Sequence, residues 1–202
     1  MPVIIEVGSN YGHDTQNFVN NPDNIVYGFE PTPELHLHLK NRFKNNENYY
    51  PVPMAVDLEE GFRWFNIAGA AAGVGDWGCS SLLNFNPNIH NEWENRPDFT
   101  VTDRCRVMTT RLDTFMNSHG IGEVDYLWVD AQGNDFRVLQ SLGDRITSIK
   151  AGKCEAAYTV NLYTGTDNST TSIIEWMEKH GFYCSIIPDS AGKEADVHFV
   201  RK

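Results

Sequence analysis

Glu6-Val7-Gly8-Ser9-Asn10-Tyr11-Gly12 sets one carboxylate and two glycines at the spacing E-x-G-x-x-x-G. Gly8 permits a tight turn, and Gly12 lets a helix begin beside a ligand with no Cβ in the way. Glu6, two residues before the turn, can receive an ammonium or orient a water next to it. The pattern differs from the G-x-G-x-x-G that cradles a diphosphate. It favours a nucleoside cofactor with an amino-acid tail and a sulfonium.

Three later segments extend this reading. Glu30 lies 18 residues after Gly12, close to the ~20-residue spacing at which a carboxylate reaches ribose hydroxyls. It would accept both hydroxyl hydrogens and discriminate against a 2′-phosphate, with Pro31 shaping the same turn. Ala55-Val56-Asp57 offers a small apolar pair to flank an adenine ring and an acid to accept from its amine. Asp130-Ala131-Gln132-Gly133 brings an acid and an amide to the mouth of the pocket. Glycine spacing alone also fits a plain structural turn, and Glu30 and Asp130 alone fit solvated ends of strands.

A hydroxyl attacking an activated methyl must be aligned and must lose its proton as the bond forms. Asp130 is the first candidate for that base, and Asp113 and Glu155 are lesser ones, each at the end of an expected element. Trp64, Trp77 and Trp93 can wall off a sugar ring, or they can simply fill a satellite core. His36 and His38 stand two apart on an expected helix and cannot share a metal. No metal is assigned.

These groups need a frame, and the hydrophobic pattern describes one. Val3–Val7, Ile25–Phe29, Val124–Val129 and Ile149–Ala157 read as buried strands. Tyr49–Val56 reads as another, with Pro51 and Pro53 restricting it to an edge. Helices are expected at His13–Asn20, from Pro33 along Leu35, Leu39 and Phe43, at Leu112–Ser118, at Phe136–Leu142 closed by Gly143, and at Ser169–His180. Asn168-Ser169-Thr170 reads as a helix cap. Phe182–Ile187 and Val197–Val200 form a terminal strand pair. Between about residues 58 and 104 the pattern changes to glycine, asparagine and aromatics, with a glycine-rich stretch from Ala68 to Gly75 and hairpin strands expected on either side. Alternating strands and helices of this kind make a doubly wound, mostly parallel α/β sheet, with ligands beyond the carboxyl ends of its strands.

The 202 residues suit one domain, and 41% hydrophobic content supplies an ordinary core. A net charge of -11 argues against a nucleic-acid partner, whose affinity comes largely from lysine and arginine. No stretch approaches the ~20 apolar residues of a membrane span, so no membrane partner is expected. Met1-Pro2 runs straight into Val3 without a leader pattern. The four cysteines lack metal-ligand spacing and read as free thiols, and cytoplasmic residence is expected.

The segments together resemble the FkbM-like methyltransferases: Glu6–Gly12, Gly28-Phe29-Glu30-Pro31-Thr32-Pro33, Ala55–Asp57, Ser80-Ser81-Leu82, Thr109–Asp113 and Asp125–Gly133 occur in that family's order over residues 3 to about 157. The resemblance implies a Rossmann-like class I methyltransferase fold, S-adenosylmethionine as cofactor, and O-methylation of a small-molecule or glycan acceptor. It implies that the first block and Glu30 hold the cofactor and that Asp130 lines the active site. The chain then reads as one methyltransferase domain over residues 1–202, or a domain of a longer polypeptide, with the 58–104 insertion covering the acceptor. The family pattern usually has Glu where this chain has Gln132 and Asp135, and Lys where it has Trp128. A nicotinamide-dependent oxidoreductase and a non-catalytic Rossmann-like binding module are the alternatives. The glycine spacing and the absence of an obvious Tyr-Lys pair count against the first of these.

Overall fold

Short β-branched runs and amphipathic helices alternate along the chain. The computed structural model, which describes residues 1–69 and 77–202, folds them around a seven-stranded sheet. The order of elements is β1 (Val3–Val7), α1 (His13–Val19), β2 (Ile25–Phe29), α2 (Pro33–Arg42), β3 (Tyr49–Val52), β4 (Met54–Val56), β5 (Gly61–Ala68), β6 (Asn84–Phe85) and α3 (Ile89–Glu92). It continues with β7 (Val101–Thr110), α4 (Leu112–Ser118), β8 (Tyr126–Val129), α5 (Asp135–Gln140), β9 (Ala151–Ala157), β10 (Tyr163–Thr164), α6 (Thr170–Lys179), β11 (Phe182–Pro188) and β12 (Glu194–Arg201).

The main sheet runs β11-β12-β9-β8-β1-β2-β3. Its five strands from β9 to β3 are parallel, and β12 is antiparallel to both β9 and β11. This is the expected doubly wound α/β sheet with a terminal antiparallel pair. The chain order reverses between β1 and β8, the position where such sheets open a crevice at their carboxyl edge.

Ile5, Phe29, Leu127, Leu139, Leu142, Ile149, Ile173 and Phe182 make one fully buried cluster between the sheet and α4, α5 and α6. Ile4, Val26, Leu39, Phe43 and Tyr49 close the opposite face beneath α1 and α2. Burying each of these side chains is worth roughly 1.5–3 kcal/mol. The core therefore holds β1, β2 and β8, the strands whose ends carry Gly8, Glu30 and Asp130.

Two boundaries differ from the pattern-based reading. The strand expected over residues 49–56 is two strands. Pro53 has no N–H to donate, and there the chain leaves the main-sheet edge for a second sheet, β4-β7-β5. The helix expected to reach Leu142 ends at Gln140, where the Ser141 hydroxyl turns back to the Val138 carbonyl at 2.6 Å. A 3-10 turn, Gly143–Ser148, follows. Ser169 caps α6 as expected, accepting from the Ser172 N–H.

In the second sheet β5 and β7 pair antiparallel along eight residues of β5. The residues after Trp77 return to β5 through an Asn66–Ser81 bridge. Most of the glycine-rich stretch from 68 to 75 lies outside the described residues. Among the described residues no helix is long and apolar enough to cross a membrane.

Candidate active site

The carboxyl ends of β1, β2, β4 and β8 surround a cavity lined by Gly8, Asn10, Glu30, Ala55, Val56 and Asp130 among others. Gly8 has φ +94°, and a Cβ there would stand 1.9 Å from the Asp130 carbonyl oxygen. No other residue lets the two strand ends approach so closely. The turn that follows is tied to β2, because the Gly8 and Ser9 N–H groups both donate to the Phe29 carbonyl.

Glu30 is buried at the tip of β2. Its Oε2 accepts from the Asn10 N–H at 3.0 Å and its Oε1 from the Thr32 N–H at 2.8 Å. Burial pushes its carboxyl up to about 7, against these hydrogen bonds. Each oxygen keeps a lone pair for a further donor. Glu6 lies beneath the turn: its Oε2 accepts from Ser9 Oγ at 2.8 Å and Thr15 Oγ1 at 2.6 Å, while Oε1 is buried without a partner. Desolvation raises it to about 7 as well. Glu6 therefore supports the turn through Ser9 and does not line the cavity.

Gln132 and Ala131 close the wall below Asp130, and Pro31 joins Thr32 at the far side. Phe65, Leu82, Met54 and Leu35 complete an apolar slot beside Ala55 and Val56. Trp77 lies in this slot, in the same cavity as Glu30 and Asp130. Gly12 opens α1 in the left-handed region, with Leu39 and Phe43 packed where a Cβ would go. Tyr11 turns toward His38, and its carbonyl accepts from Arg42.

A second cavity shares Asn10, Gly78, Asp130 and Gln132 with the first. Glu155 from β9, Glu194 from β12, Arg96 and Asp98 complete its polar lining. Burial raises Asp130, Glu155 and Glu194, and for Glu155 and Glu194 the charge of Asp130 adds to it. Arg96 is clamped by Asp98, with Nη2 2.6 Å from Oδ2, and its guanidinium stacks over Phe99. Among the described residues no group of three ligating side chains is set to hold a metal.

Several expected site residues lie elsewhere. Asp57 is buried and faces away from the slot: Arg137 Nε is 2.6 Å from Oδ1 and Arg63 Nη2 is 3.2 Å from Oδ2, so it ties β4 to α5 and β5. Asp113 pairs with Arg111 at the head of α4, which holds its carboxyl below the usual range, and it lines neither cavity. Trp64 is 61% exposed on the outward face of the second sheet. Trp93 packs edge-on against Phe99 behind the polar cavity and also lines neither.

Other contributors carry no local sequence signal. Phe65 arrives by the phase of β5, and Glu194 comes from the last strand. Asn134 Nδ2 donates to the Val56 carbonyl and fastens the slot to α5. Asp135 was visible only as a departure from a family pattern. It is fully buried, accepts from the Ala131 and Gly133 N–H groups at 3.1 Å, and shapes the turn after Asp130.

The residues fit an adenosyl group with an ionic tail. The buried Asn10 Oδ1 lacks a partner at the junction of the cavities, Glu30 offers two acceptor oxygens, and the Gly8 cradle leaves no room for a Cβ.

Comparison with known proteins agrees with this geometry. Aeropyrum pernix fibrillarin with natively bound S-adenosyl-L-methionine superposes over 98% of this chain and 66% of its own, with a TM-score of 0.53 and 12% identity. A precorrin-6y C5,15-methyltransferase from Geobacter metallireducens covers 100% of this chain and 80% of its own, at TM-score 0.52 and 10% identity. At such identities these structures speak for the fold. In sequence, the chain is 23% identical over 151 residues to the 2-O-methyltransferase NoeI of Sinorhizobium fredii (strain NBRC 101917 / NGR234), an alignment covering 74% of this chain and 60% of that relative's length. The family model described as the methyltransferase FkbM domain matches residues 6–184. With that match spanning most of the chain, from the end of β1 to the start of β11, the chain belongs to the FkbM methyltransferase family.

Proposed function

We propose that this chain transfers a methyl group from S-adenosylmethionine to a hydroxyl of a small polyhydroxylated acceptor, a sugar or a natural product. The observation that carries the reading is the junction of two unlike cavities at Asp130: an apolar slot ending at Glu30, and a polar chamber holding Glu155 and Glu194. The name of the S. fredii relative, a 2-O-methyltransferase, supports a hydroxyl acceptor.

When bound, the cofactor supplies an activated methyl on a sulfonium. Glu30 would accept from the ribose hydroxyls, Ala55, Val56, Phe65 and Trp77 would enclose the adenine, and the Gly8–Asn10 turn would hold the amino-acid tail. The apolar slot excludes water along one side, which strengthens each of these hydrogen bonds. Asp130 lines both cavities, so it is the carboxylate placed to take the acceptor's hydroxyl proton. Burial raises its affinity for protons, which makes it a stronger base than an exposed carboxylate. Among the described residues the polar chamber is lined by no cation outside the Arg96–Asp98 pair, so an anionic acceptor would meet acidic side chains there.

Calorimetry should show binding of S-adenosylmethionine and S-adenosylhomocysteine and none of NADH. Labelled methyl should pass to at least one member of a panel of neutral mono- and oligosaccharides. Cofactor binding without transfer to any neutral hydroxyl compound would defeat the acceptor assignment and favour a binding module.

A further inference from the structure

Gln132 stands in the left-handed region at φ +51°, directly before Gly133 at φ +85°. A side chain with a Cβ is disfavoured there, and such backbone persists only where its surroundings hold it. Two hydroxyls do so. Ser81 Oγ donates to the Gln132 carbonyl at 2.7 Å, and the Tyr163 hydroxyl shares its one proton between Gln132 Oε1 at 2.8 Å and the Cys79 carbonyl at 2.9 Å. Tyr163 is itself fixed, stacked on Phe85 with its ring against Gly133, where a Cβ would collide at 2.5 Å.

With Oε1 turned to the phenol, the amide nitrogen points the other way. Nε2 donates to Asp130 Oδ1 at 2.6 Å and to Glu155 Oε2 at 3.3 Å. A carboxylate only accepts, so this orientation of the amide satisfies both acids at once. Asp130 Oδ2 accepts no hydrogen bond among the described residues, although Asp130 lines both cavities.

We propose that Gln132 is the positioning residue of the acceptor site, tying Asp130 to Glu155 through one amide and leaving Asp130 Oδ2 as the oxygen that meets the acceptor hydroxyl. The role rests on the polar chamber being the acceptor site. The acceptor's proton then goes to Oδ2, while Oδ1 stays engaged and the carboxylate cannot rotate away. The amide also separates two carboxyls that would otherwise repel or share a proton directly. The other charged groups around Asp130 do not take over this task. Lys153 on β9 is committed to Asp196 at 2.7 Å and lies over the Trp128 ring. Asp14 on α1, Asp135 on α5, and Glu194 and Asp196 on β12 are acids and offer no N–H to hold it.

The test reads the carboxyl carbons of Asp130 and Glu155 by ¹³C NMR titration of the cofactor-free protein. Gln132→Met removes the donor and keeps the length, and Gln132→Glu replaces it with a third acid. The Asp130 midpoint should rise by about one pH unit in Gln132→Met and by more in Gln132→Glu, in line with one lost charge-assisted hydrogen bond. Affinity for S-adenosylhomocysteine should stay within about threefold in at least one variant. Midpoints unmoved in both variants, or a tenfold loss of S-adenosylhomocysteine affinity in both, would overturn the assignment. Methyl transfer to the saccharide panel is measured alongside: a wild-type protein that transfers to nothing defeats the acceptor reading, whereas active wild type with unmoved midpoints defeats Gln132 alone.

Discussion

The backbone N–H of Asn10 donates to Glu30 Oε2 at 3.0 Å, joining the first glycine turn to the tip of β2 across twenty residues of chain. One carboxylate thus orders the turn, and in the proposed function it would also present acceptors to the cofactor's ribose. Removing it should damage both. Glu30→Ala is expected to weaken S-adenosylhomocysteine binding roughly 10- to 100-fold, about 1–3 kcal/mol, by calorimetry. Unchanged affinity would show that the ribose is held elsewhere.

Gly8→Ala tests the close approach of β1 and β8. The added methyl would meet the Asp130 carbonyl oxygen, and φ +94° is a strained conformation for alanine. A loss of at least about 2 kcal/mol in denaturant unfolding is expected, together with loss of cofactor binding. Gly181→Ala, which has open space at its Cβ although its φ is +87°, should cost clearly less.

Asp57 separates structural from ligand-binding acids. Its two arginine partners hold β4 against α5 and β5. Asp57→Asn should lower stability by roughly 2–4 kcal/mol, because it leaves Arg137 and Arg63 without their counter-charge. The folded fraction should still bind cofactor with near wild-type affinity. A selective loss of affinity would restore Asp57 to the adenine site.

The buried acids predict an unusual pH response. Glu6, Glu30 and Asp135 have folded-state carboxyls raised to about 7 by burial, above the 3.8–4.5 of their ordinary values. The folded state therefore binds their protons more tightly than the unfolded chain. The stability they contribute is complete below about pH 4 and is lost as pH rises through 7. Tm of the cofactor-free protein should fall between pH 5 and pH 8. Glu6→Gln should reduce that fall, since an amide can keep the Ser9 and Thr15 bonds without carrying charge. Scanning calorimetry across this range decides it, and a Tm that rises toward pH 8 in wild type would contradict the burial argument.

Trp64 and Trp77 make a paired comparison. Trp64 is exposed on the outer face of the second sheet, and Trp77 lines the apolar slot. Trp64→Ser should leave cofactor affinity within about twofold, while Trp77→Ala should weaken it about tenfold through lost contact area. Equal effects in the two variants would mean that the slot is not the adenine site.

Local pattern was enough for what local physics controls. Period and punctuation located β1 and β2 to the residue, and α4 from Leu112 to Ser118, because β-branched runs and helix caps act over a few residues. Gly8, Glu30 and Asp130 were recognisable for a related reason: in a doubly wound sheet the ends of parallel strands lie on one edge whatever fills the interior. Asp57 and Asp113 read the same way as Glu30, as acids just past an apolar run. Their arginine partners decided otherwise, and Arg63 and Arg137 reach Asp57 only through contacts between distant elements.

The sequence by itself thus determined the class of fold, the family, and the acid and glycine that line the first cavity, since each depends on spacing within one strand-turn-helix unit. Tertiary structure decided which of the remaining acids face a cavity and which aromatics are walls. A strand shows only its alternation, and the face that becomes buried depends on what packs against it. That is why Phe65 lines the slot and Trp64, one residue earlier, meets solvent. It is also why Gln132, an unremarkable amide on the chain, joins Asp130 to a glutamate 25 residues further along the chain from that aspartate.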